Sequence, residues 1–182
     1  MGAKKGSSKA RVRHVAPPEV VFLDFDNCLH RCDAYVSGQD VVASEPGVAL
    51  FEFAAILERE LQPYPDVGIV LSTDWVGVLG FEGARDALPL ASLRERVIGA
   101  TRIDDCDEPA SSELTHGEQI RRYVAKHRLR AWLAIDDRRD GFEPFPEQLV
   151  HCQRGVGLGD SDVQKMLARR LRLVFYVKTN WD

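Results

Sequence analysis

Val20-Val21-Phe22-Leu23-Asp24-Phe25-Asp26-Asn27 is an apolar run that ends in two acids one residue apart. A buried strand ordinarily avoids carboxylates, because desolvating an unpaired charge is costly. Two acids at its C-terminal end therefore call for a cation or a catalytic duty, and open α/β sheets bind their ligands at that end of the strands. The pattern recurs near the other end of the chain as Ala134-Ile135-Asp136-Asp137.

Working outward, Pro17-Pro18 precedes the first strand, and residues 28–46 read as polar and irregular. Leu50, Phe51, Ala54, Ile56, Leu57 and Leu61 recur at helical spacing until Pro63 and Pro65 stop them. Val67-Gly-Ile-Val-Leu-Ser72 reads as a second buried strand. A helix over about 77–88 follows, with a short one from Leu90. Residues 99–115 are hard to read and hold an acidic knot, Asp104-Asp105-Cys106-Asp107-Glu108, which reads as solvated loop.

Thr115 or Ser112 is expected to cap a helix through Glu118, Ile120, Val124 and Ala125. Residues 131–135 form a third strand and 149–152 a fourth; Asp160 or Ser161 caps a closing helix. Val174-Phe-Tyr-Val177 suggests an added edge strand. Strands alternating with helices imply a parallel sheet with helices on both faces, and right-handed crossovers bring Asp24, Ser72 and Asp136 to one edge.

With 182 residues, the chain has room for one domain with a real core, expected over residues 19–182. Residues 1–18 carry +5 and no acid, so the rest carries −9 against a net −4. That basic stretch is expected to be a flexible arm, and a contact with phosphate backbones is the sharper alternative. No apolar stretch is long enough to span a bilayer or resembles a secretory signal, so the expected location is the cytoplasm. The four cysteines lack paired metal-ligand spacing; Cys28, His30 and Cys32 have no matching second half, so reduced structural thiols are expected. Gly155-Val-Gly-Leu-Gly159 lacks the strand, spacing and Lys of a phosphate loop.

Asp24 and Asp26 flank Phe25 and would point the same way on an ideal strand. With Asp136 and Asp137 they form the hard oxygen set that suits Mg²⁺ together with a substrate phosphate. Ser72 adds a hydroxyl for a phosphate oxygen. The ensemble describes phosphoryl transfer. A phospho-acceptor signalling domain is disfavoured, because it would place the acidic pair first and the acceptor Asp on a later strand.

On these motifs the chain resembles the haloacid dehalogenase-like (HAD) phosphohydrolase superfamily. Phe22-Leu-Asp-Phe-Asp-Asn-Cys-Leu29 resembles its first motif, Ile69-Val-Leu-Ser-Thr73 its second and Ala134-Ile-Asp-Asp137 its fourth. The likeness is greatest to the HAD domains of "Swiss army knife" RNA-repair proteins, and Leu133-Ala-Ile-Asp-Asp-Arg138 is also similar to the phosphatase half of polynucleotide kinase-phosphatases. The resemblance implies a three-layer α/β/α Rossmann-like core with little or no cap.

It further implies that Asp24 is the nucleophile of an aspartyl-phosphate mechanism and that Asp26 is the acid and base. Mg²⁺ would lie between the Asp24 carboxylate, the Asp26 carbonyl and Asp137, with Asp136 as a further ligand. Ser72 would hold the phosphoryl group, with Asn27, Thr73 and Arg138 contacting substrate. The third motif of the superfamily is a Lys or Arg; here His116 lies nearest, with Arg102, Arg121 and Arg122 as other candidates. By local pattern alone His116 is only a residue in the first turn of a helix. Asp74 stands where the repair group has a small residue, and Asn27 where Gly is usual. Trp75 is expected to pack or to line the pocket.

The function implied is a Mg²⁺-dependent phosphatase open to bulky substrates such as nucleic-acid end phosphates. The alternative is a HAD-fold binding or regulatory module weakened at its third motif.

Overall fold

The structure, a computed structural model, describes residues 18–38, 40–102 and 114–175. Most of the basic arm, the acidic knot with Cys106, Ser112 and Trp181 lie outside the described residues. Five parallel strands form the central sheet: β1 (Val20–Leu23), β4 (Gly68–Leu71), β5 (Val97–Ala100), β6 (Trp132–Asp136) and β7 (Leu149–His151). Their order is β5-β4-β1-β6-β7, so the first strand in sequence is the middle strand in space. A separate antiparallel hairpin, β2 (Ala34–Ser37) with β3 (Asp40–Ala43), follows β1.

β1, β4 and β6 are buried along their whole length, as expected of apolar strands covered on both faces. Val21, Leu23, Ile69, Leu71, Leu133 and Ile135 pack on one face against α1 (Ala54–Leu61), α2 (Trp75–Ala87), α3 (Ala91–Arg96) and α5 (Ser161–Phe175). Val20, Phe22, Val70, Trp132 and Ala134 face the opposite way onto Ile120 and Tyr123 of α4 (His116–His127), with Leu129 and Phe142. Phe22 meets Tyr123 and Trp132 edge to face, at centroid distances of 5.5 and 5.8 Å. The result is the expected α/β/α layering. Among the described residues, the hairpin is the only insertion between β1 and α1, as a site with little cap requires.

Several elements differ from their sequence reading. Residues 28–46 hold the hairpin, whose outer side chains Tyr35 and Val36 are exposed, so no buried periodicity marked it. β5 follows α3 without a break, and its own burial pattern is mixed. α2 begins at Trp75, ahead of the expected start, and is interrupted at Gly80, whose φ of 72° a residue with a Cβ rarely adopts. Residues 174 and 175 are not an edge strand. They end α5, because Val163, Leu167, Leu171 and Phe175 form one buried stripe at a spacing of four.

Two helix starts follow their caps. Thr115 and Glu118 make a reciprocal capping box on α4: Thr115 Oγ1 accepts from the Glu118 amide at 3.3 Å, and Glu118 Oε2 accepts from the Thr115 amide at 2.9 Å. Asp160 Oδ1 accepts from the Asp162 amide at 2.7 Å at the head of α5.

The first turn of α4 also lies hard against the loop after β6. A Cβ at Gly117 would come within 2.7 Å of the Gly141 carbonyl oxygen and 2.8 Å of that of Asp140. Backbone cannot move aside cheaply, so Gly117→Ala is expected to cost about 1–3 kcal/mol, as overpacking does. Urea denaturation checks this; an unchanged midpoint would show that the helix start is free to shift.

Candidate active site

Parallel pairing sets the site. Leu23 is in register with Leu71 on one side and Ile135 on the other. The ladder runs one residue further, because the Asp24 amide donates to the Ile135 carbonyl at 3.0 Å and the Ser72 amide to the Leu23 carbonyl at 2.9 Å. Asp24, Ser72 and Asp136 therefore stand abreast at the C-terminal ends of three adjacent strands.

Asp24 is 3% exposed, and its Oδ1 accepts from the Phe25 amide at 2.8 Å. Burial first, and then the charge of Asp136, push its carboxyl well above the usual carboxylate range, with His116 pulling the other way. Asp136 is 1% exposed, and both of its oxygens are engaged: Oδ1 by the Arg138 amide and Oδ2 by His116 Nδ1, each at 2.9 Å. Asp137 turns elsewhere, its Oδ2 lying 3.5 Å from Arg154 Nε, and burial raises its pKa.

His116 is wedged among these acids, with Nδ1 2.9 Å from Asp136 and 3.8 Å from Asp24. Burial opposes a charge on the ring, but its contacts with Asp136, Asp74 and Asp24 outweigh that and push its pKa up to about 10. The ring is therefore a cation at neutral pH. Of the four residues considered for the third motif, His116 is the one in contact with both Asp24 and Asp136. Arg121 and Arg122 lie exposed further along α4, and Arg102 meets Asp74.

The strand ends at Leu23, so the ideal-strand argument does not carry Asp26 to the side of Asp24. The Asp26 carboxylate accepts from Trp75 Nε1 at 3.0 Å and lies 3.1 Å from His30 Nε2, both at Oδ1. The Phe51 amide donates to His30 Nδ1 at 3.5 Å, which leaves Nε2 as the nitrogen that donates to Asp26. Phe25, Phe51, Trp75 and His30 pack edge to face behind it. Asp26 Oδ2 is left for the cleft. That cleft runs along Asp26 and Asp74 between Tyr35 and Val36 of the hairpin and Trp75, Val78 and Leu79 of α2.

Ser72 and Thr73 are each 2% exposed, and Ser72 Oγ is buried with no hydrogen-bond partner. Desolvation of such a hydroxyl is uncompensated by protein, which leaves it available to a ligand, an ion or a water. Thr73 Oγ1 faces the amide of Trp75 at 3.5 Å. Asn27 adopts the left-handed backbone at φ 56°; its Nδ2 donates to Asp33 at 2.7 Å and its Oδ1 accepts from the Gly155 amide at 3.1 Å. Arg138 lies at the mouth of the site, where Nη2 donates to Asp74 Oδ2 at 3.1 Å.

His30 and Asp74 are the site neighbours that sequence reasoning did not assign. The i,i+4 spacing of Asp26 and His30 was the signal for the first; the second was marked only as a departure from the small residue that the repair group has there. Cys28, Cys32 and Cys152 are buried free thiols. Among the described residues, the side chains able to hold a metal together are instead Asp24, His116 and Asp136, whose ligand atoms lie within 4.8 Å of one another. No helix among those residues is long and apolar enough to cross a membrane.

A parallel sheet with a buried aspartate on its middle strand, a hydroxyl on one neighbour and an acid pair on the other defines a HAD-like, Rossmann-type domain. The family model described as the HAD domain in Swiss Army Knife RNA repair proteins matches residues 20–163. That is most of the chain, and the protein belongs to this family. A search of curated proteins returned no match.

Proposed function

We propose that the chain is a Mg²⁺-dependent phosphatase that works through an aspartyl-phosphate and acts on phosphorylated nucleic-acid ends. The observation that carries this is the unpartnered Ser72 hydroxyl abreast of a buried Asp24, with the His116 ring 2.9 Å from Asp136 and 3.8 Å from Asp24. Asp24 attacks phosphorus in line; its oxygen–phosphorus bond forms as the bond to the leaving oxygen breaks. Asp26, oriented by Trp75 and His30 through Oδ1, gives the leaving oxygen a proton from Oδ2. It then takes a proton from water, which attacks phosphorus, frees inorganic phosphate and restores Asp24. Ser72 and His116 hold the phosphoryl oxygens.

The donor set fits a hard divalent cation. Asp24 and Asp136, with the Asp26 carbonyl, would hold Mg²⁺, and Asp137 would join them only by turning away from Arg154; crowded carboxylates that raise one another's pKa are what such an ion relieves. When bound, the ion neutralises charge on the phosphoryl oxygens. In this reading His116 takes the third-motif role rather than ligation, because Nδ1, the nitrogen that faces the acids, lies 2.9 Å from Asp136 Oδ2 as a donor to that carboxylate would.

Hydrolysis of an aryl phosphate with Mg²⁺ and after chelation tests the proposal. Metal-dependent turnover supports it. Phosphate binding without turnover on any phosphoester would leave only a HAD-fold binding module.

Ser72→Ala separates binding from folding. The hydroxyl has no partner to lose, so the variant is expected to melt within about 1 kcal/mol of the wild type or slightly above it. Its kcat/KM should fall about 10- to 100-fold, as loss of one phosphoryl donor implies. A large loss of stability would show that the hydroxyl is structural.

A further inference from the structure

A row of charges leads from the buried site to the surface, and the proposed chemistry uses only its inner end. His116 Nε2 lies 3.4 Å from Arg138 Nη1. Arg138 Nη2 donates to Asp74 Oδ2 at 3.1 Å, and Arg102 Nη1 donates to Asp74 Oδ1 at 3.0 Å. Three cations thus converge on one carboxylate. His116 and the Arg138 guanidinium hold the Asp74 carboxyl well below its usual range.

Asp74 occupies the residue before α2, where an Asp usually accepts a hydrogen bond from the helix amides, yet its side chain makes no such bond. Each of its oxygens takes one arginine instead. The side chains are partly exposed, Asp74 by 53%, Arg138 by 45% and Arg102 by 29%. Ion pairs that open to solvent add little to stability, so a stabilising role does not account for the arrangement. Arg102 also lies close over the first turn of α2: a Cβ at Gly77 would lie 2.8 Å from its Nη1.

Two guanidiniums, each donating one N–H to a different oxygen of one carboxylate, form a template for the two free oxygens of a phosphodiester. We propose that Arg102 and Arg138 clamp a second phosphate of the substrate, the one next to the phosphate that is removed, and that Asp74 holds the empty clamp in place. This rests on the phosphatase reading and names its substrate class: a chain end with an adjoining phosphate, rather than an isolated phosphomonoester. Two guanidiniums to one carboxylate leave excess positive charge at the clamp, which favours an anionic ligand over a neutral or cationic one.

Binding tests the clamp without relying on turnover. A fluorescent end-phosphorylated hexanucleotide is titrated with Mg²⁺ into Asp24→Asn, alone and combined with Arg102→Gln or Asp74→Asn. Arg102→Gln is expected to weaken binding about tenfold and to make the dependence of log affinity on log salt shallower by about one. Asp74→Asn, which frees both guanidiniums, should tighten binding several-fold, and that opposite sign is one a misfolded variant would not give.

Competition by a nucleoside 3′,5′-bisphosphate should lose the same factor with Arg102→Gln, while a nucleoside monophosphate loses none. If only the hexanucleotide shows the loss, the clamped phosphate is an internucleotide one; if both do, any second phosphate serves. Equal affinity with and without Arg102, an equal loss for the monophosphate, or no hexanucleotide binding would overturn the clamp. Absent aryl phosphate turnover by the wild type would instead overturn the phosphatase reading.

Discussion

Replacing Asp24 with Asn is expected to lower Mg²⁺-dependent kcat on an aryl phosphate by about 10⁴-fold or more, the scale on which losing a nucleophile acts. The change keeps the shape of the side chain and the contact with the Phe25 amide, and removes only the charge and the nucleophilic oxygen. Its effect on stability should have the other sign. Burial and Asp136 raise the pKa of Asp24 in the folded state, so ionising it works against folding at every pH above the usual carboxylate range. Without metal, Asp24→Asn should therefore melt no lower than the wild type. Loss of activity together with loss of the fold would point to a structural aspartate. Retained turnover would remove Asp24 as the nucleophile.

The second large effect is expected at His116. Its ring is the only basic side chain among the described residues in contact with both Asp24 and Asp136. His116→Ala leaves two crowded, buried carboxylates without their counter-charge, and breaking a buried pair from one side costs about 3–5 kcal/mol. Activity should fall about 10²- to 10³-fold as a phosphoryl-facing cation is lost.

The pH dependence follows from the sign of the shift. His116 is raised in the folded state from 6.5 to about 10, so its stabilising contribution is fully present below pH 6.5 and is lost as pH rises towards 10. In chelator, the difference in urea midpoint between wild type and His116→Gln should shrink over that interval. A difference that stays constant would mean that the ring is not charged in the fold.

The acids were legible because each interrupts an apolar run. Nothing but a site explains an aspartate directly after Val-Val-Phe-Leu, and the same reading found Ser72 and Asp136. The sheet order follows from those runs and the helices between them. His116 was harder, because its neighbours in sequence describe only a capped helix start. Its place beside Asp136 comes from the contact of Gly117 with Gly141, which no local pattern encodes. The hairpin was missed because most of β2 is exposed and β3 is only half-buried, so neither strand shows a clean apolar alternation. Val174 and Phe175 favour strand by propensity, yet the buried stripe of α5 decides their state. Asp26 departs from the ideal-strand expectation because the strand stops three residues before it and an indole and an imidazole draw its carboxylate aside.

The position of β1 in the middle of the sheet bears on how the site comes into being. Its partners begin at residues 68 and 132, so the strand is flanked on both sides only after most of the chain has been made. Until β6 is in place, Asp24 has neither Asp136 nor a closed crevice around it. It is then an ordinary hydrated carboxylate. Such long-range pairing is slow to form, because the intervening loops must close before any contact rewards them. On the proposed mechanism, a chain that lacks β6 would carry Asp24 without Asp136 beside it, and activity would depend on completion of the sheet.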